Sequence, residues 1–247
     1  MTPPDLSAPA PVALVTGAPR RIGRAVALRL AREGFALALH ARRPDGEAAD
    51  LLARIVAGGG RAVLLDGDLA ETAVASGLVA RAAAALGPVT LAVNNASLFE
   101  ADAADDFSAE RFDRHMAINL RAPLLIAQAL AAQGVEGSLV NVVDQRVWRL
   151  TPDFFTYTLS KSALWTATQT MAQAFAPRLR VNAVAPGPTL PNAHEGEAGF
   201  AREVAALPLR RGPSPEEIAD AVVFLARAAS VTGQMIAVDG GQHLGPT

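Results

Sequence analysis

Short apolar runs alternate with alanine-rich stretches of helical length from Val12 onward, and this alternation constrains the fold more than any other feature. Val12 to Thr16 is followed by a helical stretch from Arg21 to Glu33, Ala36 to His40 by Glu47 to Ala57, and Ala62 to Leu65 by Thr72 to Leu86. Thr90 to Val93 leads into a helix around Phe112 to Ala132, with a kink expected at Pro123. Ser138 to Val143 leads into Phe154 to Ala176, and Arg180 to Val184 follows. A last helix near Pro215 to Ala229 precedes Met235 to Val238. Strands that are apolar almost throughout must be covered on both faces, and each helical crossover returns the chain to the same end of the sheet. The expected fold is α/β: a Rossmann-like doubly wound parallel sheet of about seven strands with helices on both faces. Such sheets bind ligands beyond the carboxyl ends of the strands, where strand order reverses.

At 247 residues, 51% apolar, the chain is long enough for one large domain. We expect a disordered proline-rich leader over residues 1–11, which hold four prolines and lack both a basic start and an apolar run. A single domain is expected over 12–247. A net charge of −2 gives no electrostatic case for nucleic acid or an anionic membrane and favours a small-molecule partner. Without cysteine there are no disulfides or thiolate ligands, and the histidines, His40, His115, His194 and His243, lack metal-ligand spacing, so no metal is expected. Nothing reads as a membrane span, and a cytoplasmic location is expected. The long polar stretch from Ala185 to about Gly199, with His194, Glu195 and Glu197, is expected to be an irregular substrate-side lid.

The turn Thr16-Gly17-Ala18-Pro19-Arg20-Arg21-Ile22-Gly23 joins the first strand to a helix, where backbone N–H groups and the helix N-terminus suit a pyrophosphate. Gly17 and Gly23 are the outer glycines of the usual pattern; Arg21 occupies its middle position. The second strand ends in His40-Ala41-Arg42-Arg43, positive where an NAD enzyme carries an acid for the ribose hydroxyls. Arg42 and Arg43, with Arg20 or Arg21, suit a 2′-phosphate and favour NADPH. Asp68 and Leu69 after the third strand, and Asn94-Asn95-Ala96 after the fourth, complete the rim expected to meet adenine and ribose.

Tyr157 and Lys161, four apart on a helix, share one face, so the ammonium is expected to favour the ionised phenol. Thirteen residues before Tyr157 stands Asp144. A free aspartate has a pKa of about 3.9, and acting as an acid at neutral pH requires roughly 4 kcal/mol of environmental shift. An ionised Asp144 that accepts a hydrogen bond from Tyr157 or a ring N–H is the cheaper role. A carboxylate suits a protonated C=N better than a ketone, whose reduction develops negative charge on oxygen.

From Val12 to Leu244 the chain resembles the short-chain dehydrogenase/reductase family. The resemblance rests on Thr16-Gly17 through Gly23, Asn94-Asn95-Ala96, Asn119, Tyr157 with Lys161, Pro186-Gly187 and Val238-Asp239-Gly240-Gly241. It implies a Rossmann-like fold, commonly tetrameric through the Phe154 helix and the C-terminal region, and hydride transfer between a nicotinamide and a carbonyl, alcohol or C=N group. Most members have serine at Asp144 and glycine at Arg21. With Asn95-Ala96-Ser97, Phe99 and Val143-Asp144, those two departures look like the pteridine reductases and the bacterial dihydromonapterin or dihydrofolate reductases of the fold. That resemblance implies a pterin stacked on Phe99, bonded by Ser97 and reached by Arg21, which also reaches cofactor phosphate. It also implies Tyr157 as proton donor, Lys161 on the nicotinamide ribose and Asn119 holding a water that restores the proton. Recognition of the pterin side chain is expected to fall to Arg146, Trp148, Leu190 and the loop around His194, with Trp148 either lining the pocket or packing under that loop. A ketone reductase on the same fold, or a non-catalytic NADPH-binding sensor, are the rival readings; Asp144 speaks against the first and Tyr157, Lys161 and Asn119 against the second.

Overall fold

The computed structural model describes residues 10–191 and 196–245. Seven parallel strands, β1 (Val12–Val15), β2 (Ala36–Ala41), β3 (Ala62–Asp66), β4 (Val89–Asn94), β5 (Gly137–Val142), β6 (Leu179–Pro186) and β7 (Met235–Val238), form one sheet in the order β3-β2-β1-β4-β5-β6-β7. Order reverses between β1 and β4, so a crevice opens there at the carboxyl edge.

The period of two along each strand separates two cores. Val12 and Leu14 of β1, with Ala36 and Ala38 of β2, turn to one face and meet α3 (Thr72–Leu86), α5 (Ala122–Ala132) and the C-terminal part of α6 (Phe155–Phe175). Ala13 and Val15, with Leu37 and Leu39, turn to the other and meet α1 (Arg21–Arg32), α2 (Gly46–Ala57) and α8 (Pro215–Arg227). The inner strands are buried on both faces, which is why they read as unbroken apolar runs, whereas the edge strands β3 and β7 are only partly buried. Asp45 caps α2 through Ala48 N–H, and Ser214 and Glu217 form a reciprocal capping box on α8.

Two expectations on local structure need correction. The stretch expected to be one helix with a kink at Pro123 is α4 (Ala109–His115), a π-helical turn over Met116–Arg121 and then α5, so the irregularity lies before the proline. Pro123 sits in the first turn of α5, directly after the π-helical turn. The stretch Ala185 to Gly199 is irregular only in part. β6 continues to Pro186, and α7 (Gly196–Ala206) begins inside it and was not expected at all. His194 and Glu195, like residues 1–9 of the expected leader, lie outside the described residues.

Candidate active site

A cleft of about 640 Å³ opens at the carboxyl edge over the β1/β4 crossover. At its floor the glycine turn is set by backbone chemistry. Gly17 has φ +62°, and a Cβ on Gly23 would stand 2.2 Å from the Gly17 carbonyl oxygen and 2.6 Å from Asn95 Nδ2. Only hydrogen fits there. Asn95 donates to the carbonyls of Thr16 (2.9 Å) and Gly17 (3.1 Å), while Thr16 Oγ1 accepts from the N–H groups of Asn95 (2.9 Å) and Ala96 (3.0 Å). Sequence reasoning passed over Thr16, although a hydroxyl at the end of a buried strand signals such a lock. His40 is buried and completes it. Its Nδ1 accepts from Gly17 N–H at 3.4 Å, so Nε2 carries the proton and donates to the Gly67 carbonyl at 3.0 Å. Burial lowers its pKa, which keeps the ring neutral.

Gly17, Arg20, Arg21, Ile22, Gly23, His40, Arg42, Asp68, Leu69, Asn95 and Ala96 all line this half of the cleft, as do Pro186, Gly187 and Lys161 on the far side. Arg43 is exposed and does not line the cleft. Arg20 is held by Asp45 and Glu47, and its charge is met within the protein. Arg42 is exposed and makes no ion pair among the described residues. Arg21 takes φ +50° in the position that favours glycine. Its guanidinium donates to the carbonyls of Pro191 (2.9 Å) and Leu190 (3.1 Å), tying the glycine turn to the segment after β6. Gly187 is pressed against the β7 end, for a Cβ there would come within 2.6 Å of Asp239 Cα.

The other half is built by side chains. Tyr157 donates from its hydroxyl to Asp144 Oδ2 at 2.8 Å, and Asp144 Oδ1 accepts from Arg146 N–H at 2.9 Å. Burial raises the Asp144 pKa, against the N–H group and the Arg146 charge. Lys161, 2% exposed, donates to the Val142 carbonyl at 2.8 Å, with Nζ 5.8 Å from the centre of the Tyr157 ring. Burial lowers its pKa to about 8. The expected effect on the phenol is reversed. Burial, and then the neighbouring Asp144 charge, push Tyr157 well above the ordinary phenol value, and the neutral phenol is the form held.

Asn119 is buried and does not line the cleft. Its Nδ2 donates to the Leu98 carbonyl (2.9 Å) and Ser160 Oγ (3.0 Å); its Oδ1 accepts from Leu98 N–H (2.8 Å) and Ser97 Oγ (3.3 Å). These bonds fix the side chain against Leu98, Ser97 and Ser160, inside the π-helical turn. It staples the loop that presents Ser97 and Phe99 to the cleft. Phe99 lines the cleft with one face already stacked on Phe154 (4.2 Å between centroids, 10° between planes) and its ring set edge-on to Tyr157 (4.7 Å, 82°). Arg146 lies 4.9 Å from the Phe154 ring centre and pairs with Glu203 of α7 at 3.7 Å, so α7 reaches the cleft. Trp148, 45% exposed, does not line the cleft and packs on Trp165 and His243, the second of its two expected places being nearer to what is seen. Leu190 lines it as expected. Gln145, Thr189, Glu203 and Gln242 were not anticipated in the wall; they come from segments with no motif of their own.

Among the described residues no acidic or histidine cluster suits a metal, and no helix is long and apolar enough to cross a membrane. A glycine turn locked under a strand-order reversal, beside a tyrosine and lysine on one helix face, is the site plan of a dehydrogenase. Residues 17–243 match the family model described as enoyl-(acyl carrier protein) reductase, and the chain belongs to the short-chain dehydrogenase/reductase family. Among solved structures it is similar to the FolM alternative dihydrofolate reductase 1 of Brucella canis, complexed with NADP (45% identity, TM-score 0.92, 96% of this chain and 95% of that one). It is also similar to a blue fluorescent protein from a metagenomic library in complex with NADPH (34%, TM-score 0.89, 95% and 98%). A curated relative, glucose 1-dehydrogenase of Gluconobacter oxydans, is 32% identical over 94% of this chain and 91% of its own length.

Proposed function

We propose that the protein is an NADPH-dependent reductase of a pterin, taking a dihydropterin to the tetrahydro form, with dihydrofolate as a further candidate substrate. The observation that carries the reading is the 2.8 Å hydrogen bond from Tyr157 to Asp144, at a position where the family usually has serine. A serine hydroxyl can donate to an oxygen that gains negative charge; a carboxylate only repels it. The same carboxylate stabilises a ring nitrogen that is protonated as it is reduced. The relatives with which this chain shares most identity among those described, the Brucella dihydrofolate reductases, support that choice, whereas the sugar dehydrogenases support only the family.

The residues present fit a dinucleotide. The Gly17–Gly23 approach admits no side chain, the N-terminus of α1 faces the cleft, and Arg42 stands uncommitted at the rim, which suits a 2′-phosphate. When bound, the reduced nicotinamide supplies a hydride. In this chain Tyr157 holds the proton for the adjacent substrate nitrogen, and Asp144 aligns the phenol and offsets positive charge on the substrate. Lys161, at the centre of the site, offsets the negative charge left on the Tyr157–Asp144 pair after the proton has gone. Ser97 presents a hydroxyl to the polar edge of the ring, and Phe99, at the cleft wall beside Tyr157, is the aromatic side chain on which it stacks. Arg21, joined to the segment after β6, lies where phosphate and substrate meet. We extend the reading to one domain over 12–247, a cytoplasmic location and a homotetramer.

The test is NADPH oxidation with dihydrobiopterin, dihydromonapterin and dihydrofolate beside a panel of ketones. Turnover of at least one pterin, lost in Tyr157→Phe, is expected. Turnover of ketones alone sinks the pterin assignment and leaves a carbonyl reductase of the same family.

A further inference from the structure

Asp102 stands outside the cleft and has no part in the chemistry above, yet it is 7% exposed and fully engaged. It lies in the irregular segment between β4 and α4 that also carries Ser97 and Phe99. Its main-chain carbonyl accepts from Phe155 N–H at 3.1 Å, its Oδ1 accepts from Thr156 N–H at 3.0 Å, and its Oδ2 accepts from the Thr156 hydroxyl. Phe155 and Thr156 open α6. The preceding residue, Phe154, provides no side-chain cap and takes φ +56°, a conformation that persists in a bulky residue only where its surroundings over-determine it. A carboxylate 54 positions earlier in the chain therefore caps the helix in place of its own N-terminal neighbour.

The chain of bonds continues. With its proton directed at Asp102, Thr156 Oγ1 is the acceptor for His115 Nδ1 at 2.7 Å, so His115 carries its proton on Nδ1, and its enclosed Nε2 is a bare lone pair with no partner among the described residues. Burial lowers the His115 pKa and keeps it neutral. Its ring stands 6.1 Å from that of Tyr157 at 68°. The Tyr157 ring is thus walled by Phe99 and by His115. The first is joined to Asp102 through the chain, the second through Thr156.

We infer that Asp102 is a positioning residue for the proton donor: acting through Thr156 and His115, it clamps the loop bearing Phe99 to the first turn of α6 and holds the Tyr157 phenol on Asp144. The inference rests on the proposed function for the identity of the donor and reaches beyond it to what fixes the donor in place. A side chain held by packing on two sides loses little freedom on reaching the reactive geometry, and a displacement of about 1 Å costs on the order of 100-fold in rate.

Tyr157 is the single tyrosine of the chain, so tyrosinate absorbance against pH titrates this phenol alone. The charged groups that bear on it are Asp144, Arg146 and Lys161, with neutral His115 on its ring. The variants are Thr156→Val, which keeps volume and removes the hydroxyl, and Asp102→Asn, which keeps an acceptor for Thr156 N–H. Both are compared as folded proteins by circular dichroism. The clamp predicts a lower phenol midpoint than in the wild type, further in Thr156→Val than in Asp102→Asn, as the phenol leaves Asp144. It also predicts that kcat with dihydrobiopterin falls about tenfold or more while KM for NADPH is unchanged. A wild-type midpoint in folded Thr156→Val overturns the positioning role whatever the substrate is. Absence of pterin turnover by the wild type overturns the substrate reading instead, and the titration decides the clamp without it.

Discussion

The two halves of the cleft are made of different material. On the β1–β2–β3 side the walls are largely backbone: a glycine turn, a helix N-terminus and carbonyls locked by Thr16, Asn95 and His40. On the β5–β6 side they are side chains from segments far apart in sequence, namely Ser97 and Phe99, Asp144 and Arg146, Tyr157 and Lys161, Leu190 and Glu203. A backbone site binds what every member of a family shares and tolerates little change. A side-chain site can be altered one residue at a time, and Asp144 in place of serine is such a change.

The sharpest separation of the halves comes from Tyr157→Phe. It removes the proton and leaves the nucleotide side untouched, so kcat is expected to fall by about 10²–10⁴ with KM for NADPH unchanged. A matching loss of NADPH affinity would break the division. Arg42→Ala is the mirror case. Loss of one charge-assisted contact to a 2′-phosphate is worth about 1.5–3 kcal/mol, so steady-state kinetics should show KM for NADPH rising about 10- to 100-fold, NADH barely affected and pterin KM constant. In Gly23→Ala the new methyl meets the Gly17 carbonyl and Asn95; thermal unfolding should show a loss of about 1–3 kcal/mol, with weaker NADPH binding.

Lys161 belongs to both halves, and pH reads it. Its pKa is lowered to about 8, so the cation is present below that pH and lost above it, and kcat/KM is expected to decline as pH rises through about 8. Stability moves the other way. Between about 8 and the ordinary lysine value the unfolded chain binds a proton that the folded chain does not, so this group's contribution to stability increases with pH across that window. Activity that stays flat to pH 10 would show that the ammonium is not required.

Legibility followed the same division. Gly17, Gly23, Asn95 and the strand-helix alternation are readable because each imposes a local backbone demand, and parallel crossovers imply the sheet of about seven strands, whereas the order β3-β2-β1-β4-β5-β6-β7 comes from the structure. Tyr157, Lys161 and Asp144 are readable from their spacing along one helix and the strand before it. What was missed depends on remote partners. No local pattern says that the Asn119 side chain would bond Leu98, Ser97 and Ser160, that Phe99 would stack on Phe154, or that Asp102 would cap α6. Whether Arg43 and Trp148 reach the cleft was not legible for a related reason: neighbouring side chains leave a loop in different directions, and sequence adjacency to Arg42 or Asp144 does not fix which one enters.

The central claim is that the carboxylate at position 144 fits the site to a C=N bond and sets it against a ketone. Asp144→Ser tests this most directly, through the ratio of kcat/KM for dihydrobiopterin to kcat/KM for a ketone of similar size. The account predicts that the ratio falls by about two orders of magnitude, as the pterin loses the group that offsets its charge and the ketone gains a donor for its oxygen. An unchanged ratio, or better pterin reduction by the serine variant, would contradict it.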